Sequence, residues 1–148
     1  MSDWAPHATV ACVIEQDGRY LLVEERDKSS GIMVFNQPAG HLEPGESLTE
    51  GALRETLEET GWIVELQHLV GVYQYHSKHN DLVYLRFAFA AGPVEQKQIA
   101  IDPDISAVHW LTKEEIKDWI PRSPMVRQCI LDAEEIGPVA LDFIQQLE

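Results

Sequence analysis

Basic residues are scarce in this chain. Its 148 residues include 11 Lys and Arg against 25 Asp and Glu, a formal charge of -14. Nucleic acid and anionic membranes both select cationic surfaces, so neither is an expected partner. Cysteine is almost missing as well. Cys12 and Cys129 lie far apart, and neither belongs to a CxxC pair. Two buried free thiols in a reducing compartment are the expectation. No stretch reaches the apolar length of about 18 residues that a spanning helix needs. The start, MSDWAPHATVACVIEQDG, has neither a basic opening nor a long apolar run, so no targeting segment is read there. A cytoplasmic protein is expected. Repeats, low-complexity tracts and linkers are also missing. Residues 1–148 are therefore read as a single domain, long enough for one sizeable core at 45% hydrophobic content.

Strand-forming residues fill His7 to Val13 and Tyr20 to Glu24, with Gln16-Asp17-Gly18 between them as a hairpin turn. Residues 27–31 read as a polar loop. Val34 to Gln37 is a short extended piece stopped by Pro38. Ile63 to Tyr75 and Leu82 to Ala90 are two further strands around the polar loop HSKHND, and Ala107 to Leu111 is another. Thr112 followed by Glu115 predicts a helix over TKEEIKDWI. A final helical region is predicted from about Pro124 to Leu147, broken at Gly137-Pro138. The sum is a mixed central sheet with helices on both faces, an α/β or α+β class and an α-β-α sandwich.

What the chain has in excess is glutamate in one place. GHLEPGESLTEGALRETLEETGW, Gly40 to Trp62, holds six glutamates and one arginine in 23 residues. Ser47 and Glu50 form a capping box, and Gly61 suits the position past a helix end, so a helix is predicted from Leu48 to Thr60. At roughly 100° per residue, Leu48, Ala52, Leu53, Thr56, Leu57 and Thr60 share a packing arc. Glu55, Glu58 and Glu59 share the adjacent one. Such a carboxylate cluster at the margin of a buried face suits a hard cation, Mg²⁺ or Mn²⁺. Arg54 can pair with one of them. The competing reading is a solvated acidic face. The Gly- and Pro-punctuated loop NQPAGHLEPGES before the helix favours the site, because its backbone can approach a ligand closely.

Gly40, Glu46 and the run Arg54-Glu55-Thr56-Leu57-Glu58-Glu59-Thr60-Gly61-Trp62 resemble the Nudix box. Thr56 departs from the aliphatic residue usual at its place. The stretches HATVACVIEQDGRYLLVEE, FNQPAGHLEPGESL and RSPMV are similar to the NudJ branch of that family. Its members are phosphatases acting on nucleoside di- and triphosphates and thiamine-type pyrophosphates. The resemblance implies a Nudix fold and metal-dependent hydrolysis of a phosphoanhydride. It implies that Glu55, Glu58 and Glu59 ligate Mg²⁺ or Mn²⁺, with a backbone carbonyl of Ala39 or Gly40 completing the shell. Arg54 would orient Glu55, and Glu46 would support the loop or an outer-shell water. The general base is one of the glutamates or a residue on a later loop.

Asn36, Gln37, Arg86 and Tyr75 are the candidate substrate contacts. Arg86 alternates on a strand and either faces phosphate or forms an ion pair. His76 and His79 are read as phosphate contacts, a base or plain loop residues, and His41 as a loop residue within the box. Arg19 and Arg26 sit near the first hairpin, within reach of substrate. Trp4, Phe35 and Tyr73 either stack on a base or pack the core. The expected partner is a small nucleotide or pyrophosphate, for a monomer or homodimer. Within the enzyme class the alternatives are hydrolysis of oxidised nucleotides, ADP-ribose or dinucleoside polyphosphates. Outside it stand a non-catalytic nucleotide-binding module, disfavoured because all three glutamates are present, and a scaffold, to which nothing points.

Overall fold

The computed structural model describes residues 3–147; the first two residues and the last of the expected 1–148 domain lie outside that range. Strands β1 (His7–Gln16) and β2 (Arg19–Arg26) form the expected hairpin. Asp17 and Gly18 both adopt positive φ, 52° and 80°, which gives the turn the hand that matches strand twist. Next come β3 (Met33–Asn36), β4 (Ala39–His41), helix α1 (Leu48–Thr60), β5 (Trp62–His76), β6 (Val83–Gln96), β7 (Ile105–Leu111) and helix α2 (Pro124–Glu135).

The strands make one mixed sheet in the order β3-β2-β1-β6-β5, with β4 added to β1 and β7 to β2. β1 runs parallel to β6 and antiparallel to β2 and β4. It is the shared strand: β4 pairs with its residues 9–11 and β2 with its residues 15 and 16. The two halves therefore diverge from β1.

Side-chain alternation along the strands builds one core on each face. Val10, Cys12, Ile14, Leu21 and Phe89 pack with Ala52 of α1. Val13, Tyr20, Leu22, Ala88 and Ala90 pack with Val126, Cys129 and Ile130 of α2. This is the expected α-β-α sandwich. Both cysteines are free and buried. No helix among the described residues is long and apolar enough to cross a membrane.

Three predicted elements differ. Residues 112–120 form turns, not a helix, although the Thr112–Glu115 box closes in both directions. The guanidinium of Arg127 takes the carbonyls of Ile116 and Trp119, so those oxygens accept from a side chain. The final helical region stops at Glu135, since Pro138 has no N–H to donate and disfavours helix before it. The tail crosses the open edge of β5, where Val139 bridges Leu69, and only Leu141–Phe143 makes a short 3-10 turn. The third difference is the length of β6, which continues to Gln96 through Gly92 and Pro93. Its pairing with β1 ends at Ala91, so Pro93 lies where β6 has become an edge and needs no second partner.

Candidate active site

The Ser47–Glu50 capping box is closed in both directions, and Gly61 takes the left-handed cap at φ 77°. These start and stop α1 at the predicted residues. Its packing face is rotated from the predicted arc. Gly51, Ala52, Thr56, Glu59 and Thr60 are buried, whereas Leu53 is exposed and Leu57 only half-buried. Small residues at 51 and 52 let the helix approach closely: a Cβ on Gly51 would meet Glu46 Oε1 at 2.9 Å. Thr56 is fully buried and its hydroxyl donates to the Ala52 carbonyl at 2.9 Å, so the departure from an aliphatic residue leaves no unpaired polar group.

Arg54 answers most of the charge repulsion in the segment. Its Nε and Nη2 hold Glu46 with a two-pronged contact of 2.9 and 2.6 Å. Nη1 donates to Glu55 at 2.8 Å and to Glu58 at 3.2 Å, and Nη2 also reaches the His41 carbonyl at 3.1 Å. Glu46 Oε1 accepts the Glu43 N–H as well, so this carboxylate ties the loop to the helix. Those Arg54 bonds hold its carboxyl down at about 2, from an ordinary 4.5. A carboxyl depressed in the folded state stabilises fully above its unfolded value, and the contribution is lost as pH falls from 4.5 towards 2. Glu46→Gln should therefore flatten the acid limb of an unfolding curve in that window. An unchanged limb would separate the ion pair from stability.

Glu59 has no such counter-charge. It is buried, and its Oε1 accepts the Ala39 N–H at 2.8 Å. Burial, followed by the charges of Glu55, Glu25 and Asp102, pushes its carboxyl up to about 9. Burial also raises Glu55, against the pull of Arg54. Glu55 lies directly over Gly40: a Cβ there would fall 2.2 Å from its carboxyl carbon. Glu58 is the exposed member of the trio. Among the described residues, no three His, Cys, Asp or Glu side chains form a ready-made cation cage. Glu55 and Glu59 are the inward pair, while Glu58 leans on Arg54.

A cationic wall stands nearby. Arg86 is buried with no carboxylate on its guanidinium. Nη1 donates to Gln37 Oε1 at 2.8 Å and Nη2 to Asn36 Oδ1 at 3.1 Å, while Gln37 Nε2 is anchored on the Val126 carbonyl at 2.7 Å. Three of the four expected substrate contacts thus form one unit. Tyr75, the fourth, lies farther along the sheet, half-buried and opposite Tyr84. Arg122, given no role by the sequence reading, pairs with Glu25 and acts electrostatically on both Arg86 and His41. It lies in the quoted RSPMV stretch, where an arginine beside Ser-Pro was the available signal.

Other candidates are engaged elsewhere. Arg19 pairs with Glu115, and Arg26 donates to the Gly31 carbonyl. His76 contacts Asp81, and the His79 N–H caps on Ser77 within the same loop. Phe35 is a core residue against Trp119. Tyr73 donates to Asp132 at 2.7 Å, and Trp4 is exposed.

The family model described as NUDIX domain matches residues 5–129. The chain is 42% identical over 130 residues to "Phosphatase NudJ" of Escherichia coli (strain K12), covering 84% of this chain and 81% of that protein. A solved NUDIX hydrolase from Nitrosomonas europaea superposes with a TM-score of 0.92 at 40% identity, over 97% of this chain and 98% of that one. The NUDIX domain of Shewanella oneidensis NrtR, solved with ADP ribose, shares the fold at a TM-score of 0.72 and 20% identity, over 89% and 88% of the two chains.

Proposed function

The chain belongs to the NUDIX family of hydrolases, and we propose that it is a divalent-metal-dependent phosphatase of nucleoside di- and triphosphates and of thiamine-type pyrophosphates. The observation that carries this reading is the charge imbalance at Glu59. A buried carboxyl raised to about 9 beside a second raised carboxyl, Glu55, fits an added cation, because the one arginine in the cluster is already shared among Glu46, Glu55 and Glu58. All-oxygen donors suit Mg²⁺ or Mn²⁺. Glu55 and Glu59 would hold such an ion, with Glu58 at its margin and the Ala39–Gly40 backbone alongside. The ion would screen phosphate charge and acidify a water.

The rest of the work falls to the chain. Arg54 fixes the carboxylates of Glu55 and Glu46, so that neither swings when substrate arrives. Asn36 and Gln37 turn their amide oxygens to Arg86, which keeps that guanidinium extended without neutralising it. Arg86 and Arg122 then attract the phosphate oxygens that face away from the glutamates. Tyr75 sits beyond them on the substrate side.

Product analysis tests the proposal. The purified protein is incubated with Mg²⁺ and GTP, GDP, thiamine pyrophosphate, ADP-ribose or a dinucleoside polyphosphate, and orthophosphate is separated from pyrophosphate. Stepwise orthophosphate from GTP and GDP, with thiamine pyrophosphate also cut, is expected. Pyrophosphate release, or activity confined to ADP-ribose or dinucleotides, would keep a Nudix pyrophosphohydrolase and discard this specificity. No turnover on any of them would leave a binding module.

A further inference from the structure

Among the described residues, two buried side-chain polar atoms have no hydrogen-bond partner: Thr9 Oγ1 and Arg86 Nε. Buried donors are paired in the great majority of cases, so two orphans ask for a cause. They are also neighbours. Thr9 is the register partner of Arg86 across β1 and β6, and directly paired residues share a sheet face. Thr9 pairs on its other side with His41 of β4, and Arg86 with Tyr73 of β5. One rung, His41–Thr9–Arg86–Tyr73, thus crosses four strands.

The rungs on either side differ in character. Two residues inward, about 7 Å along the strands, Ala11 pairs with Ala39, whose N–H holds Glu59. Two residues outward, His7 pairs with Tyr84, and Tyr84 with Tyr75. The rings of His7, His41 and Tyr84 meet one another there, with centroids 5.7, 5.8 and 6.4 Å apart. All three rings are at least partly exposed. The α2 face of the sheet therefore presents a rung with two unpaired donors and, beyond it, an aromatic cluster, while one rung inward the Ala39 backbone holds Glu59 of α1, which packs on the opposite face.

The geometry points to a substrate subsite built from Thr9, Arg86 and the His7–His41–Tyr84 rings. We infer that Thr9 Oγ1 and Arg86 Nε receive an oxygen of the phosphate farther from Glu59, and that the rings carry an aromatic heterocycle attached to that phosphate. Arg86 is fit for this because Asn36 and Gln37 occupy its other two nitrogens with neutral oxygens, and the Cys129 thiol and the charge of Glu25 act on it without a carboxylate touching the guanidinium, so Nε is held in place and unpaired. The subsite deepens the hydrolase reading and rests on it. It selects diphosphates of heterocyclic alcohols, nucleosides among them, over diphosphates without a ring.

Calorimetry on the metal-free full chain tests it with guanosine 5′-monophosphate and, as the probe that lacks the aromatic base, ribose 5-phosphate. Tyr84→Leu should weaken the nucleotide about tenfold, the size of one stacking contact, and leave ribose 5-phosphate within about twofold. Thr9→Val should weaken both probes. Its melting temperature should stay level or rise, because a buried unpaired hydroxyl becomes a methyl of the same shape; a structural Thr9 would lower it. Four results would overturn the subsite: no nucleotide binding to the wild type, ribose 5-phosphate bound as tightly as the nucleotide, nucleotide affinity unchanged in Thr9→Val, or Tyr84→Leu weakening both probes alike. GDP turnover by the wild type with Mg²⁺ keeps the two proposals apart. Turnover with variants that bind normally discards the subsite alone, and no turnover discards the hydrolase reading whatever the calorimetry gives.

Discussion

Glu59→Gln is expected to lower turnover at least roughly 100-fold, more than the loss of an outer-shell partner usually costs, while the protein stays folded. Glutamine keeps an oxygen for the Ala39 N–H, so the contact at 2.8 Å survives. What disappears is the charge. The same substitution has a second readout, whose sign follows from linkage. The carboxyl stands at about 9 when folded against an ordinary 4.5. Between those values the metal-free folded state holds a proton that the unfolded chain has released, so stability falls as pH rises through the window. Melts of the metal-stripped wild type should descend across it, and those of Glu59→Gln should descend less. Mg²⁺ should raise the melting temperature of the wild type more than that of the variant, because a ligand stabilises only the state that binds it. Near-normal turnover would remove Glu59 from the site. Parallel melts with the same response to Mg²⁺ would remove the metal from Glu59.

The helix that carries these carboxylates was legible because its boundaries are set locally. Ser47, Glu50 and Gly61 act within a turn of their own positions, and each does what its spacing predicts. The hairpin at Asp17-Gly18 is local in the same sense. Failures came where a distant group decided. Thr112 and Glu115 make their box, but the chain then closes in i+3 turns, Lys117 on Glu114 and Trp119 on Ile116, which Arg127 braces from α2 through the Ile116 and Trp119 carbonyls. The packing arc of α1 rotated because Gly51 and Ala52 approach the fold more closely than Leu53 can, and a hydrophobic count does not see small residues. Glu59 moved with that rotation from the margin of the helix to its buried face. The Asn36–Gln37–Arg86 unit joins residues about fifty positions apart, so period-2 alternation placed Arg86 on a face and could not name its partners. Arg122 stayed hidden for the same reason, since its partner Glu25 is on β2.

Gly40→Ala should be nearly as damaging to activity as losing a glutamate, with little effect on stability. Gly40 has no positive φ to defend, so alanine suits its backbone, and the substitution removes freedom from the unfolded chain. The conflict is steric. The new Cβ would stand 2.2, 2.3 and 2.4 Å from the Glu55 carboxyl carbon and its two oxygens, well inside contact distance. The end of a glutamate is easier to move than a strand, so Glu55 should swing out and take its bond with Arg54 Nη1 along. The fold should survive that displacement, but the carboxylate proposed to hold the metal would not keep its place. Activity should fall roughly 100-fold, and the Mg²⁺ concentration for half-maximal rate should rise by about tenfold or more. The pair of readouts separates causes. A fall in rate at unchanged Mg²⁺ requirement would make Glu55 a substrate or proton-transfer group and not a ligand. Wild-type behaviour in both would mean that the position of Glu55 over Gly40 is not the one used in catalysis.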